Sequence, residues 1–262
     1  MAVAPQIDLS LTSLSLAFDG LRAVSDMSCE VTSGSIVALI GPNGAGKTTI
    51  FNLICGFLKP DGGTIAVAGK KATGKQPYAI ASLGVGRTFQ DCKVFEQLTV
   101  LDNVRLGMRD RKNETILSAL LKGSRLREAE ELKTTRALQL LNYAGLAEKR
   151  DALACDLSYG QRKLLELCRV RAFAPKLFLL DEPFSGLFPD TVERMAQVIK
   201  GLSNNGKTVV FIEHDMEAVR GIAGRVIVLD FGRLIADGAP EAVLNDPVVL
   251  DAYLGRPVRN AS

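Results

Sequence analysis

Three glycines, one lysine and two threonines stand within the stretch Ile40-Gly41-Pro42-Asn43-Gly44-Ala45-Gly46-Lys47-Thr48-Thr49-Ile50. Glycine takes positive φ and puts no side chain in a ligand's way, so Gly41, Gly44 and Gly46 allow a loop whose backbone N–H groups converge. A helix beginning at Lys47 would aim its positive end at the same point, which makes the stretch an anion cradle. Lys47 then reaches the β- and γ-phosphates of a nucleotide, and the Thr48 hydroxyl is a ligand for Mg²⁺. The spacing G-x-x-x-x-G-K-[ST] is met in full, and the expected ligand is a nucleoside triphosphate.

Other residues could converge on that cradle. "LFLLDE" at 177–182 ends an apolar run in two carboxylates: Asp181 suits Mg²⁺ or its waters, and Glu182 could accept a proton from attacking water. Read alone, both acids could equally open a surface turn before Pro183. In "DLSYGQRKLLEL" at 156–167, Ser158 is a good helix N-cap and Gly160 permits close approach, so this helix start is a second anion site; in isolation an ordinary capped amphipathic helix explains it better. His214, the only histidine, follows the run "TVVFIE", a place where a histidine is more often structural. Phe18 alternates with Leu14 and Leu16 and reads from the residues as core. Gln90 follows a further apolar strand.

These residues need strands to carry them. Leu14, Leu16 and Phe18 alternate with small residues as in a half-buried strand, "SIVALI" at 35–40 reads as a buried strand, and Lys47 to Cys55 follows as a helix. "LFLLD" at 177–181, "TVVFIE" at 208–213 and "RVIVLD" at 225–230 are strand-like runs separated by helix-length segments, the alternation of a parallel α/β sheet. Gly232 and Gly238 punctuate the end. Between about 92 and 157 the texture is helical, with Ile116, Leu117, Leu120 and Leu121 at helical spacing and a charged block at 122–136 that reads as a solvated helix face. The expectation is one α/β core carrying an inserted helical subdomain.

Composition narrows the class. With 32 basic and 29 acidic side chains the net charge is only +3, so bulk charge argues for neither nucleic acid nor an anionic membrane as partner. Cys29, Cys55, Cys92, Cys155 and Cys168 lack C-x-x-C spacing, suggest neither disulfides nor zinc, fit a reducing cytosol and read as small core residues. The N-terminus lacks a basic leader, and no apolar run reaches the ~18 residues of a membrane helix, so the chain is expected not to span a bilayer.

The ordered set resembles the nucleotide-binding subunit of an ATP-binding cassette (ABC) transporter over nearly the whole chain. "GPNGAGKT" looks like the Walker A loop, "TFQ" at 88–90 like the Q-loop, "LSYGQ" like the signature motif, "FLLDE" like Walker B, and "IEHDM" at 212–216 like the switch-histidine motif. "GRTFQ", "FDGLRAV" and "AYLG" at 252–255 are similar to the bacterial branched-chain amino acid uptake ATPases, with the urea and amide uptake branch close.

The resemblance implies a P-loop NTPase (RecA-like) core with an antiparallel β subdomain, an inserted helical subdomain at about 92–160 and a C-terminal tail at about 238–262, all within one ABC ATPase domain of 1–262. It implies ATP and Mg²⁺ as cofactors, with ATP held by Gly41, Pro42, Asn43, Gly44, Ala45, Gly46, Lys47, Thr48 and Thr49, and Mg²⁺ by Thr48, Gln90 and Asp181. Glu182 becomes the general base, His214 the sensor of the γ-phosphate and attacking water, Gln90 a completer of the metal or water shell, and Phe18 an adenine-stacking candidate. In the family two cassettes stack head to tail, so Ser158, Gly160 and Gln161 would serve the partner's nucleotide in place of an arginine finger. The implied partners are membrane permeases, met through the helical subdomain and Q-loop, a second cassette (self or paralogue) and, indirectly, an extracytoplasmic solute-binding protein, but no nucleic acid. The implied location is cytoplasmic, peripheral on the inner face of the cell membrane. The alternatives are urea or amide uptake, lipopolysaccharide-type export and a soluble iron–sulfur assembly ATPase. Two positions depart from the family pattern: Tyr159 stands where most cassettes carry glycine, and Phe188 where many carry the D-loop aspartate, with Asp190 two positions on.

Overall fold

Ile36–Ile40 is buried at every position, as a five-residue apolar run must be when layers cover both faces of its sheet. The computed structural model that shows this describes residues 6–108 and 123–254; the Ile116 to Leu121 pattern and the end of the tail, from Gly255, lie outside the described residues. In chain order the elements are β1 (Ile7–Phe18), β2 (Leu21–Thr32), β3 (Ile36–Ile40), α1 (Lys47–Ile54), β4 (Gly62–Val67), β5 (Lys70–Lys71), α2 (Pro77–Ser82), β6 (Val85–Arg87), α3 (Val100–Leu106), α4 (Gly123–Ala144), α5 (Tyr159–Ala172), β7 (Leu177–Asp181), α6 (Pro189–Asn204), β8 (Thr208–Ile212), α7 (Met216–Ile222), β9 (Arg225–Asp230), β10 (Arg233–Gly238), α8 (Pro240–Val243) and α9 (Pro247–Tyr253).

The described chain groups into two units. The first, described over 6–90, 175–185 and 199–254, holds both sheets. The larger sheet has the order β10-β9-β3-β8-β7-β6, parallel except for the β9–β10 hairpin. An antiparallel sheet, β2-β1-β4-β5, is dominated by the long β1–β2 ribbon. Leu14, Leu16 and Val24 of that ribbon join Ile50, Phe51 and Ile54 of α1 in the main core. Buried Thr208, at the start of β8, donates its hydroxyl to Asp8 Oδ2 at 2.6 Å and ties β1 to the parallel sheet. The runs at 177–181 and 225–230 are strands over those same residues, and β8 stops one residue short of Glu213.

The second unit, described over 91–108, 123–174 and 186–198, is helical. Fully buried Asn103 of α3 fixes the loop ahead of it, its amide bonding both N–H and C=O of Phe95 at 2.9 Å. Ala137, Leu141 and Ala144 bury one face of α4, whereas Arg127, Glu128, Ala129, Glu131 and Leu132 are exposed, the solvated face the charged block suggests. Glu130 pairs with Arg105 and Lys133. Among the described residues no helix is long and apolar enough to cross a membrane. The cysteines correct their reading as core residues in part: Cys55 and Cys168 are buried, Cys29 and Cys92 half-buried, and Cys155 exposed. Cys155 lies in a short polar 3₁₀ turn, Ala154–Asp156, with little apolar surface to bury.

Candidate active site

Parallel strands share one direction, so β3, β6, β7 and β8 deliver the residues that follow them to one edge of the sheet, where α/β folds place ligands. After β3 the glycine loop folds against β9 and β2. A Cβ on Gly41 (φ 147°) would stand 2.1 Å from the Leu229 carbonyl, and one on Gly46 (φ 98°) 2.4 Å from the Ala23 carbonyl, so only glycine fits at either position. Ala45 anchors the loop, its carbonyl accepting from Gly232 N–H at 3.0 Å. The loop ends at the start of α1, where Gly46 is the N-cap and supplies no side-chain acceptor. The first N–H groups of α1 therefore lack a side-chain cap, an electropositive end suited to phosphate oxygens. Lys47 Nζ donates to the Gly41 and Pro42 carbonyls at 2.7 and 2.8 Å, which holds the ammonium inside its own loop. Burial lowers the Lys47 pKa, and the nearby Glu182 and Asp181 carboxylates work against that shift. Pro42 and Thr49 are half-buried, while Asn43, Gly44 and Thr48 face solvent.

Asp181, at the end of β7, is 4% exposed and pairs with Arg87 Nη2 at 3.0 Å; burial raises its pKa and Arg87 opposes the rise. The guanidinium of Arg87 also donates to Asn52 of α1 at 2.7 Å and lies 5.0 to 5.9 Å from the ring centres of Phe51, Phe57 and Phe89. Sequence reading missed this hub, since an arginine inside "GRTFQ" carries no chemical signal of its own. The Thr48 hydroxyl, the Gln90 amide and the Asp181 carboxylate offer only oxygen donors of the kind Mg²⁺ prefers, and the set fits that ion.

Glu182 follows in the left-handed region at φ 46°, a conformation that costs a non-glycine residue about 1–2 kcal/mol. Two polar side chains converge on its carboxylate: Gln90 Nε2 donates to Oε2 at 3.4 Å, and His214 Nδ1 lies 3.9 Å from Oε1. His214 is 59% exposed, which leaves most of the imidazole open to a ligand. The structure thus brings the glycine loop, Lys47, Gln90, Asp181, Glu182 and His214 together within the first unit. Glu213, beside His214, is 1% exposed and also escaped sequence reading; an acid placed directly at a strand end was the available signal.

Phe18 departs from its core reading: it is 46% exposed, because it is the last residue of β1, beyond the layer that covers Leu14 and Leu16.

Ser158, Gly160 and Gln161 belong to the second unit. Ser158 caps α5 in a full capping box: its Oγ accepts from Gln161 N–H at 3.3 Å, while its own N–H donates to Gln161 Oε1 at 3.1 Å. Lys149 Nζ reaches the same Oε1 at 3.2 Å. A Cβ on Gly160 would meet Thr191 Cγ2 at 2.9 Å, and the Tyr159 ring lies over Gly186. Phe188 is 82% exposed.

Residues 24–185 match the family model described as ABC transporter. The chain belongs to the ABC transporter family. Residues 233–259 match a second model, described as branched-chain amino acid ATP-binding cassette transporter. The cassette is 40% identical over 248 residues to the high-affinity branched-chain amino acid transport ATP-binding protein LivG of Escherichia coli, covering 94% of this chain and 97% of that one. Among solved structures it is similar to the ADP conformation of an ATP-binding cassette of an ABC transporter (TM-score 0.82, 31% identity, 95% of this chain and 99% of that one). It is also similar to a dimeric structure of a bacterial ABC transporter cassette (TM-score 0.74, 25% identity, 88% and 98%). These likenesses give the P-loop NTPase core, the antiparallel sheet and the helical unit one common description as a cassette fold.

Proposed function

We propose that this cassette is the ATP-hydrolysing subunit of a membrane system that takes up branched-chain amino acids or a similar small polar solute. One observation carries the hydrolytic half: Lys47, Gln90, Asp181, Glu182 and His214 stand at one edge of a parallel sheet, beside a helix start that no side chain caps. The similarity to LivG over nearly both full chains and the match at 233–259 support the transport half.

In this reading Gly41 to Thr49 wrap the triphosphate, and Lys47 exchanges its two loop carbonyls for phosphate oxygens. Phe18 stacks on adenine, its exposed ring being free to do so. Thr48, Gln90 and Asp181 would hold Mg²⁺, which when bound neutralises charge building up between the β- and γ-phosphates. Glu182 accepts a proton from the water that attacks the γ-phosphorus; the new P–O bond forms as the bond to the β-phosphate oxygen breaks and ADP leaves. His214 positions that water and the γ-phosphate, and Gln90 orients the Glu182 carboxylate. Ser158, Gly160 and Gln161 of a second cassette complete the site, a reading that the dimeric relative supports. The isolated chain accordingly binds ATP and hydrolyses it slowly. The helical insert of about 92–160 and the loop at Gln90 meet the permease, on the inner face of the membrane.

The test is purification with native partners followed by a solute uptake panel. Multi-spanning permeases, ATP-dependent uptake of leucine, isoleucine or valine, and loss of turnover in Glu182→Gln with ATP binding retained are the expected results. Soluble partners only, or an exported lipid as cargo, would overturn the transport half; normal turnover by Glu182→Gln would overturn the chemistry.

A further inference from the structure

The turn after β7 carries Glu182 and the turn after β8 carries His214, and neither turn is regular structure. Three hydrogen bonds close them. Glu182 N–H donates to the Ile212 carbonyl at 3.0 Å, Phe184 N–H to Glu213 Oε1 at 2.9 Å, and His214 N–H to Glu213 Oε2 at 3.1 Å. Two of the three end on one carboxylate, which is 1% exposed and pairs with no lysine or arginine among the described residues. A buried carboxylate without a cation is costly, and backbone N–H groups are what make it tolerable here. The imidazole shares that geometry: His214 Nδ1 is 3.9 Å from Glu213 Oε2 and 3.9 Å from Glu182 Oε1. Phe184, whose N–H is held, is 5% exposed and packs edge-on against Phe211 of β8 at 6.3 Å, so the tie is fixed from its apolar side as well. Glu182 itself sits at a φ that open chain would not hold, and the restraint lies on both sides of it.

We propose that Glu213 is a positioning residue for hydrolysis: its buried carboxylate spans the two strand-end turns and keeps His214 in register with Glu182. The proposal rests on the reading of Glu182 as base and His214 as γ-phosphate sensor. Glu213 acts through the two turns, by its bonds to the Phe184 and His214 N–H groups. An amide cannot replace it, because glutamine offers one acceptor oxygen where two N–H groups need one each, and its NH₂ group would face an N–H. Aspartate keeps both oxygens but is one methylene too short to span both turns.

The test compares Glu213→Gln, Glu213→Asp and Glu182→Gln in the full-length chain assembled with its co-purifying partners. Glu213→Gln should leave ATP affinity unchanged and lower turnover by about tenfold or more, the scale expected when a reacting group is displaced by a fraction of an ångström. Combined with His214→Ala it should add little to the loss from His214→Ala alone, because both changes remove one function. A fall in ATP affinity matching the fall in turnover would overturn the proposal, as would full additivity with His214→Ala. Normal turnover in Glu213→Gln beside a dead Glu182→Gln overturns the strut alone; normal turnover in Glu182→Gln overturns the reading beneath it. A measurement on the unaltered chain needs no variant to fold: the amide hydrogens of Phe184 and His214 should exchange together, opening as one unit, and independent exchange contradicts a shared carboxylate.

Discussion

Two helix starts in this cassette meet the same physical problem in opposite ways. Both α1 and α5 begin with backbone N–H groups that have no partner inside the helix. At α5 the chain meets part of that need itself: Ser158 Oγ accepts from Gln161 N–H and Gln161 Oε1 from Ser158 N–H in a reciprocal capping box. At α1 it declines to: Gly46 is the cap residue, it has no side chain, and the loop ahead of it is held by contacts that only glycine permits. A helix start left open for a ligand must be secured elsewhere, and α1 is, through buried Ile50, Phe51, Leu53 and Ile54 and through Asn52, which Arg87 binds. In the proposed function the open start serves the chain's own nucleotide. In the same proposal the capped start serves the nucleotide of a second cassette, which would take over what Ser158 and Gln161 now give each other.

That contrast can be broken at its strongest fastening first. Arg87→Met leaves Asp181 buried and unpaired and frees Asn52 of α1, so it should cost about 3–5 kcal/mol of stability, read as a drop in the denaturation midpoint. Arg87→Lys should recover only part, since an ammonium cannot bind Asn52 and Asp181 through one planar fork. Gly46→Ala should cost about 2 kcal/mol in left-handed strain and more from contact with the Ala23 carbonyl, and a fluorescent ATP analogue should show nucleotide affinity falling with it. Ser158→Ala removes a cap worth about 1 kcal/mol and should leave that affinity untouched while slowing turnover in the assembled complex. If Ser158→Ala weakened ATP binding by the isolated chain, the two starts would not be doing different jobs.

The smallest effect is one of pH. Burial raises the Glu213 pKa above its usual 4.5, with backbone N–H groups and His214 opposing the rise. Folded chain therefore holds this proton more tightly than unfolded chain, and stability from this group falls as pH rises from 4.5 through the folded value. Wild type should gain stability relative to Glu213→Gln as pH is lowered from about 7 towards about 4.5, by urea midpoints compared pairwise. A gap that narrows on acidification would contradict the sign.

Residues 40–50 were legible because their spacing alone specifies a glycine loop running into a helix start, even though the carbonyls of Ala23 and Leu229 that demand glycine at positions 46 and 41 lie far off in sequence. The buried runs at 177–181, 208–212 and 225–230 were legible for a similar reason, since a strand covered on both faces reads as unbroken hydrophobicity. Arg87 was not, because its partner Asp181 lies 94 residues away and only the pairing of β6 with β7 makes them neighbours. Glu213 was hidden in the same way, its acceptor role depending on how the turn after β7 meets the turn after β8. Phe18 shows the converse error: alternation identified its strand correctly, but nothing in the pattern says where the covering layer ends.

In the proposed function, triphosphate gripped at the open start of α1 is finished by the capped start of α5 from a second cassette. Sedimentation of the Glu182→Gln chain with ATP and Mg²⁺, with its natural second cassette present, measures this most directly. Association that appears with ATP and vanishes when Ser158→Arg is added, ATP affinity of the single chain being unchanged, is the predicted result. ATP-dependent association that survives Ser158→Arg would contradict it.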